Sequence, residues 1–168
     1  LGKLSGSFGQ GPLQNLPHGM ALQLNGQDLG PKPIALSNQS KEREFNQDNL
    51  TSATGSLCLD DKPWIEQYLN GTSNKISVQT KTMDDFLGED KIPSLVKIDV
   101  EGQESEVLEG GLLSIKKHKP LLIIESFPPK QSKVVENLKN LDFKIWDADR
   151  LSTIQENTNN LLAWHPDG

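Results

Sequence analysis

The sequence predicts an α/β fold organised on a parallel strand pair. Two observations carry this. Val96-Lys97-Ile98-Asp99-Val100-Glu101 alternates apolar and charged residues and ends on Gly102, as a strand does when it runs into a tight turn. Further on, Leu121-Leu122-Ile123-Ile124-Glu125 forms a second apolar run. The helical stretch between them is long enough for the crossover that a parallel pair requires.

The remaining elements follow in chain order. Residues 1–33 are dense in Gly and Pro, which opposes long regular elements. Within them Met20-Ala21-Leu22-Gln23-Leu24-Asn25 reads as a short helix stopped by Gly26. Gly6, Gly9 and Gly11 lack the strong preceding strand that a phosphate-cradling loop needs. Residues 34–38 form a short apolar run and read as a strand, with residues 41–45 extending it or pairing nearby. Residues 48–56 are polar loop, and residues 63–69 read as a short helix or irregular turn. Ile76-Ser77-Val78-Gln79-Thr80 alternates with period two and reads as a strand. Thr82, with Asp85 three residues on, reads as the cap of a helical turn.

After the Val96–Gly102 stretch a helix is expected from about residue 104 to 117, with Val107, Leu108, Leu112 and Ile115 on one face. Its acidic start and lysine-rich end suit the helix dipole. Gly110-Gly111 weakens it by roughly 1 kcal/mol per glycine relative to alanine, a cost that a close helix–sheet approach would justify. Pro128-Pro129 breaks the chain after the second apolar run. Residues 132–141 read as a helix with Val134, Val135, Leu138 and Leu141 inward. Phe143-Lys144-Ile145-Trp146 and Asn160-Leu161-Leu162-Ala163-Trp164 read as antiparallel edge strands around a polar loop. There are no internal repeats.

Composition bounds the function. At 168 residues the chain is read as a single domain, 1–168, able to bury a real core. Its hydrophobic content of 34% and mean hydropathy of −0.53 leave room for much loop. A net charge of −6, with no basic patch carrying interleaved aromatics, argues against nucleic acid as a partner. Cys58 is the only cysteine, so an intramolecular disulfide is excluded and no metal spacing is formed. No apolar run approaches the roughly 18 to 20 residues of a membrane helix, and no signal peptide is visible. A cytoplasmic protein is therefore expected, and the glycosylation sequons at Asn38, Asn49 and Asn70 are read as chance matches. The chain begins with Leu1, which fits a fragment of a longer protein.

The alternation around Asp99 bears on chemistry. A central parallel strand is normally apolar on both faces, so charges at its carboxyl end need a reason. Ligands of open α/β sheets bind just outside those ends, where Asp99 and Glu101 would stand. Equally, Lys97 and Asp99 could simply neutralise one another at the rim. Both readings stand on the charge pattern alone.

Leu95-Val96-Lys97-Ile98-Asp99-Val100-Glu101-Gly102-Gln103-Glu104, followed by Val107-Leu108-Glu109-Gly110 and Leu122-Ile123-Ile124-Glu125, closely resembles the FkbM family of methyltransferases. That family carries a lysine–apolar–aspartate–apolar–glutamate–glycine strand end, a glutamate soon after, and a leucine–x–glycine. Residues 34–38, Gly55-Ser56-Leu57, Thr82-Met83-Asp84-Asp85 and Asn160-Leu161-Leu162-Ala163-Trp164-His165 resemble further family landmarks, so the resemblance covers residues 34–166. It implies a Rossmann-like class I methyltransferase sheet with antiparallel C-terminal strands.

The departures lie mainly at the start. The family opens with a glycine-rich strand–loop–helix that binds S-adenosylmethionine, and none of that kind stands here. Gly9 occupies the place of the acidic residue that grips the cofactor ribose, and Gln103 stands where the family often has histidine. The resemblance therefore implies a member whose first cofactor-binding strand is missing, N-terminally truncated or degenerate, with residues 1–33 irregular.

The resemblance also implies methyl transfer from S-adenosylmethionine to a hydroxyl of a sugar or other small metabolite. Such transfer depends on positioning, since well-oriented reactions reach effective molarities of roughly 10⁵ to 10⁸ M, and a nearby base helps the hydroxyl lose its proton. Asp99 is the candidate for the active-site floor beside the transferred methyl, with a purely structural role as the alternative. Glu101 either orients the acceptor or caps the following helix. Glu125, at the next strand end, is a candidate acceptor contact. Lys97 is read as a carboxylate partner, and Glu104 as a first-turn helix charge or a ligand. Ala35, Leu36 and Ser37 border the adenine by resemblance only. His118 and His165 are read as surface histidines, and no metal site is expected. The competing reading is a non-catalytic methyltransferase-like remnant acting as a binding module; another nucleotide-binding α/β enzyme is the third.

Overall fold

The computed structural model describes residues 23–24, 27–28, 34–48, 55–56 and 73–168. Eleven strands and four helices are described there. The short strands β1 (Gln23–Leu24) and β2 (Gln27–Asp28) pair antiparallel. A helix was the expectation for this stretch. Asn25-Gly26 between the two strands is the strongest two-residue hairpin signal, and it outweighs the weak helical pattern.

A four-stranded sheet follows: β3 (Ala35–Leu36), β6 (Ser73–Lys81), β4 (Glu42–Asp48) and β5 (Gly55–Ser56), in that order. β3 runs parallel to β6, and β4 pairs antiparallel with β6 along its whole length, from Glu42↔Gln79 to Asp48↔Ser73. Residues 41–45 thus open a long paired strand, and β5 lies within the stretch read as polar loop. The expectation for residues 63–69 lies outside the described residues.

Helix α1 (Met83–Leu87) begins as expected, with the Asp85 amide donating to Thr82 Oγ1 at 3.0 Å. The second sheet contains β7 (Leu95–Ile98), β8 (Leu121–Glu125), β11 (Asn160–Trp164), β9 (Lys144–Asp147) and β10 (Ser152–Thr153), in that spatial order. β7 and β8 are parallel, from Leu95↔Leu121 to Ile98↔Ile124. β11 is antiparallel to both β8 and β9. β7, β8 and β9 therefore share one direction, and their carboxyl ends share one rim. The expected antiparallel pairing of β9 with β11 holds, but neither is an edge: β11 is inserted between β8 and β9, and β10 takes the far edge.

The helix expected across residues 104–117 is two helices, α2 (Glu104–Gly110) and α3 (Leu112–His118). They part at Gly111, whose backbone (φ −114°, ψ 11°) is not helical. Both glycines stand at close approaches. A Cβ on Gly110 would collide with the Ser37 carbonyl, and one on Gly111 would lie 2.8 Å from Met83 Sδ. The N-terminus of α3 is capped from a distance by Asp84, which accepts from the amides of Leu113 (3.2 Å) and Ser114 (2.8 Å). Helix α4 (Gln131–Asn140) buries Val134 and Leu138, with Val135 and Leu141 packed at the margin.

The core lies on one face of the second sheet. Val96, Ile98, Leu122, Ile124, Leu161 and Ala163 are buried there against Val107, Leu108, Ile115, Val134 and Leu138. The opposite face is partly open: Leu95, Leu121 and Trp146 are exposed, and Trp146 meets Trp164 edge-on with ring centres 5.1 Å apart. Among the described residues β7 is the sheet's last strand. The alternation in Val96–Glu101 follows the two faces of the sheet. The strand is apolar on the side that meets helices and polar on the open side.

A carboxylate-lined rim at the strand ends

Three strands deliver acids to the common rim. Asp99 and Glu101 follow β7, Glu125 ends β8 and Asp147 ends β9. Strand alternation sends them to two sides. Lys97, Asp99 and Glu125 belong to the open face. Ser126 and Asp147 belong to the core face, which α2 and its Glu104 cover.

On the open face Lys97 Nζ lies 2.7 Å from Asp99 Oδ2, with both side chains well exposed. The Asp99 hydrogen bond, aided by the charges of Asp99 and Glu125, raises the Lys97 ammonium above its ordinary range. The neutralising pair considered from the charge pattern is therefore present, in a setting where such pairs contribute little stability.

The turn after β7 is tightly specified. Glu101 has φ +50° and Gly102 φ +90°, a region that favours glycine. A Cβ on Gly102 would also stand 2.6 Å from Lys130 Nζ, which reaches over the turn from the loop after β8. The Gly102 amide donates to Glu104 Oε1 at 2.6 Å, and Ser126 Oγ donates to Glu104 Oε2 at 3.3 Å. Glu104 and Ser126 are both buried. Gln131 Nε2 donates to the carbonyls of Ser126 (2.8 Å) and Thr158 (2.6 Å), and Thr158 Oγ1 donates to Asp147 Oδ2 at 2.6 Å. One hydrogen-bonded chain thus runs beneath the rim from Gly102 to Asp147.

Asp147 closes that chain. It is fully buried and also accepts from the amides of Asp149 (2.9 Å) and Arg150 (2.8 Å) and from Arg150 Nη1 (2.5 Å). The Thr158 hydroxyl first, then the Arg150 and Asp149 donors, hold its carboxyl down at about 2 against the opposing effect of burial.

Ala35, Leu36 and Ser37 stand at β3, where Leu36 joins the core. Ser37 is fully buried; its hydroxyl donates to Glu106 Oε2 (2.7 Å) and accepts from Arg43 Nη1 (2.9 Å), while Arg43 and Glu106 pair at 2.6 Å. Ser37 therefore meets α2, the helix that starts at the rim. His165 differs from its reading as a surface histidine. It is largely buried and meets Phe143 edge-on, and its Nδ1 accepts from the Asp167 amide at 3.1 Å. The roles of Asp147, Ser126 and Thr158 were missed in the sequence. Asp147-Ala148-Asp149 is the kind of short acidic turn in which an aspartate binds the amides just ahead of it, and that was the available signal. Among the described residues no group of three or more His, Cys, Asp or Glu is arranged to hold a metal ion, and no helix is long and apolar enough to cross a membrane.

These features define a mixed α/β protein with an acid-lined, strand-end rim. Residues 12–149 match the methyltransferase FkbM domain, and the chain belongs to that family. The match reaches back into the Gly- and Pro-rich start and stops short of β10 and β11. A crystal structure of methyltransferase FkbM from Methylobacillus flagellatus KT is similar over 53% of this chain, at 21% identity and a TM-score of 0.39. The chain spans 24% of the length of that protein. No curated protein matches it.

Proposed function

We propose that this chain carries the acceptor side of an S-adenosylmethionine-dependent O-methyltransferase, acting on a hydroxyl of a sugar or another small metabolite. The observation that carries the reading is the exposed Asp99 carboxylate at the end of β7, in a chain of this family. The donor set fits the cofactor's sulfonium end: a solvent-facing carboxylate attracts a cation. By resemblance Ala35 and Leu36 would border the adenine; Ser37 is fully buried, with its hydroxyl and its amide already engaged.

Bound there, the cofactor supplies an electrophilic methyl group. Asp99 forms the floor beside it. Glu125 or Glu101 accepts the single hydrogen bond of the acceptor hydroxyl and so aims its oxygen along the line of transfer. A rim carboxylate, or water beside it, would take the proton that the acceptor hydroxyl loses. Lys97 pairs with Asp99 at 2.7 Å and can yield it to a ligand cation.

The Lys97–Asp99 pair also supports a second reading, a non-catalytic binding module in which these charges serve only each other. Calorimetric titration of the purified chain with S-adenosylhomocysteine tests the first. Saturable one-to-one binding means that residues 1–33 rebuild a cofactor site and supports the methyltransferase reading. No binding by a folded chain means either the module or a chain that lacks the family's first cofactor-binding strand.

A further inference from the structure

Glu104 is a costly way to serve a helix. Acidic side chains suit a first turn through the dipole, and they do so from solvent. Glu104 is instead buried, with 2% of its surface exposed, and it opens a helix of only seven residues. Taking a carboxylate out of water is unfavourable unless its oxygens are well bonded. Both are used: Oε1 accepts from the Gly102 amide and Oε2 from the Ser126 hydroxyl.

Those two partners belong to different strand ends. The β7–β8 ladder stops at Ile98↔Ile124. Beyond it the chain after β7 takes two positive-φ residues in succession, and the chain after β8 turns toward Pro128-Pro129. Glu104 ties the two diverging turns together past the last ladder pair. Through Ser126 and Gln131 the tie continues to Thr158 and Asp147, which are fixed by their own bonds.

We propose that Glu104 is a positioning residue for methyl transfer. By joining the Gly102 amide to the Ser126 hydroxyl, it sets the Asp99–Gly102 turn against the Glu125–Ser126 turn, so that Asp99 and Glu125 border one space. The proposal rests on the methyltransferase reading above. It assigns to Glu104 no contact with substrate or cofactor.

The test compares S-adenosylmethionine with S-adenosylhomocysteine by calorimetry. The two ligands differ by one methyl group and one positive charge, so the ratio of their affinities reports whether a carboxylate stands at the sulfonium. A general loosening of the site weakens both alike and leaves the ratio unchanged. Glu104→Gln is expected to keep the ratio within about twofold, because the amide oxygen still accepts from Gly102 and the amide nitrogen can donate to Ser126. Glu104→Ala is expected to lower the ratio by roughly tenfold while S-adenosylhomocysteine binds within about threefold of the parent. Asp99→Asn should lower it similarly, and the double variant should add little, since both act through one carboxylate.

Parallel weakening of both ligands in Glu104→Ala, or an unchanged ratio, overturns the positioning role while leaving the methyltransferase reading intact. If Glu104→Ala does not fold, Ser126→Ala removes one end of the tie and must lower the ratio in the same direction; no change in it also overturns the proposal. A parent chain that binds neither ligand overturns the reading that this chain holds the cofactor, and the positioning role falls with it.

Discussion

Asp99 and Asp147 leave parallel-running strands at the same rim, and they are opposites. Asp147 is fully buried and takes four hydrogen bonds, from the Thr158 hydroxyl, the Asp149 and Arg150 amides, and the Arg150 guanidinium. Asp99 is exposed, and a lysine that is itself exposed reaches it. One carboxylate has its lone pairs filled by donors fixed in the fold. The other has a partner on a flexible stem that can move aside. Residue type and position on a strand therefore do not assign a role; the number and rigidity of donors do. An acid saturated by donors of the fold holds structure, and an acid met by a mobile cation can still exchange partners with a ligand.

The sharpest way to break this contrast is to neutralise each aspartate in turn. In an active form supplied with acceptor, Asp99→Asn is expected to lower turnover by about 10²-fold or more, with the melting temperature unchanged. Asp147→Asn is expected to lower the melting temperature more than neutralising any other rim carboxylate, because buried donors lose their acceptor. Unchanged turnover in Asp99→Asn would remove it from the active site. A thermally neutral Asp147→Asn would dissolve the distinction.

A smaller effect sharpens it by pH. Asp147 titrates at about 2 in the folded chain, below the ordinary 3.8. Its contribution to stability is complete above the ordinary value and is lost as pH falls through about 2. Acid unfolding followed by circular dichroism should therefore steepen in that window for the parent and flatten in Asp147→Asn. The smallest effect belongs to Lys97→Met, which should alter stability by no more than about 1 kcal/mol, as for exposed pairs generally. A larger loss in denaturant titration would make Asp99 a structural residue as well.

Much of this was legible in the sequence where a single local rule governed. Period-two alternation gave β7 and the middle of β6, Thr82 marked its helix cap, and Gly110 signalled a close approach, made to Ser37 just past β3, whereas Gly111 meets Met83 of α1 rather than a sheet. What escaped depended on partners distant in sequence. The break falls at Gly111, where Met83 leaves no room for a Cβ, and the identity of the sheet edge depends on β10 folding back on β9. The rim's open side was visible, because Asp99, Glu101 and Glu125 end recognisable strands. Its buried side was not, because Ser126, Gln131 and Thr158 are polar residues in or beside loops, and only the fold makes them neighbours.

The distant cap on α3 bears on how the molecule assembles. A seven-residue helix is too short to persist alone in water, and the first amides of α3 find their acceptor in Asp84, which lies 30 residues before Ser114. The last turns of the crossover thus become stable only once the α1 segment has docked, and closing that loop carries an entropic cost beforehand. This part of the chain is expected to consolidate late and to unfold early, since non-local contacts slow folding. Its amides should be the first in the crossover to exchange with solvent deuterium.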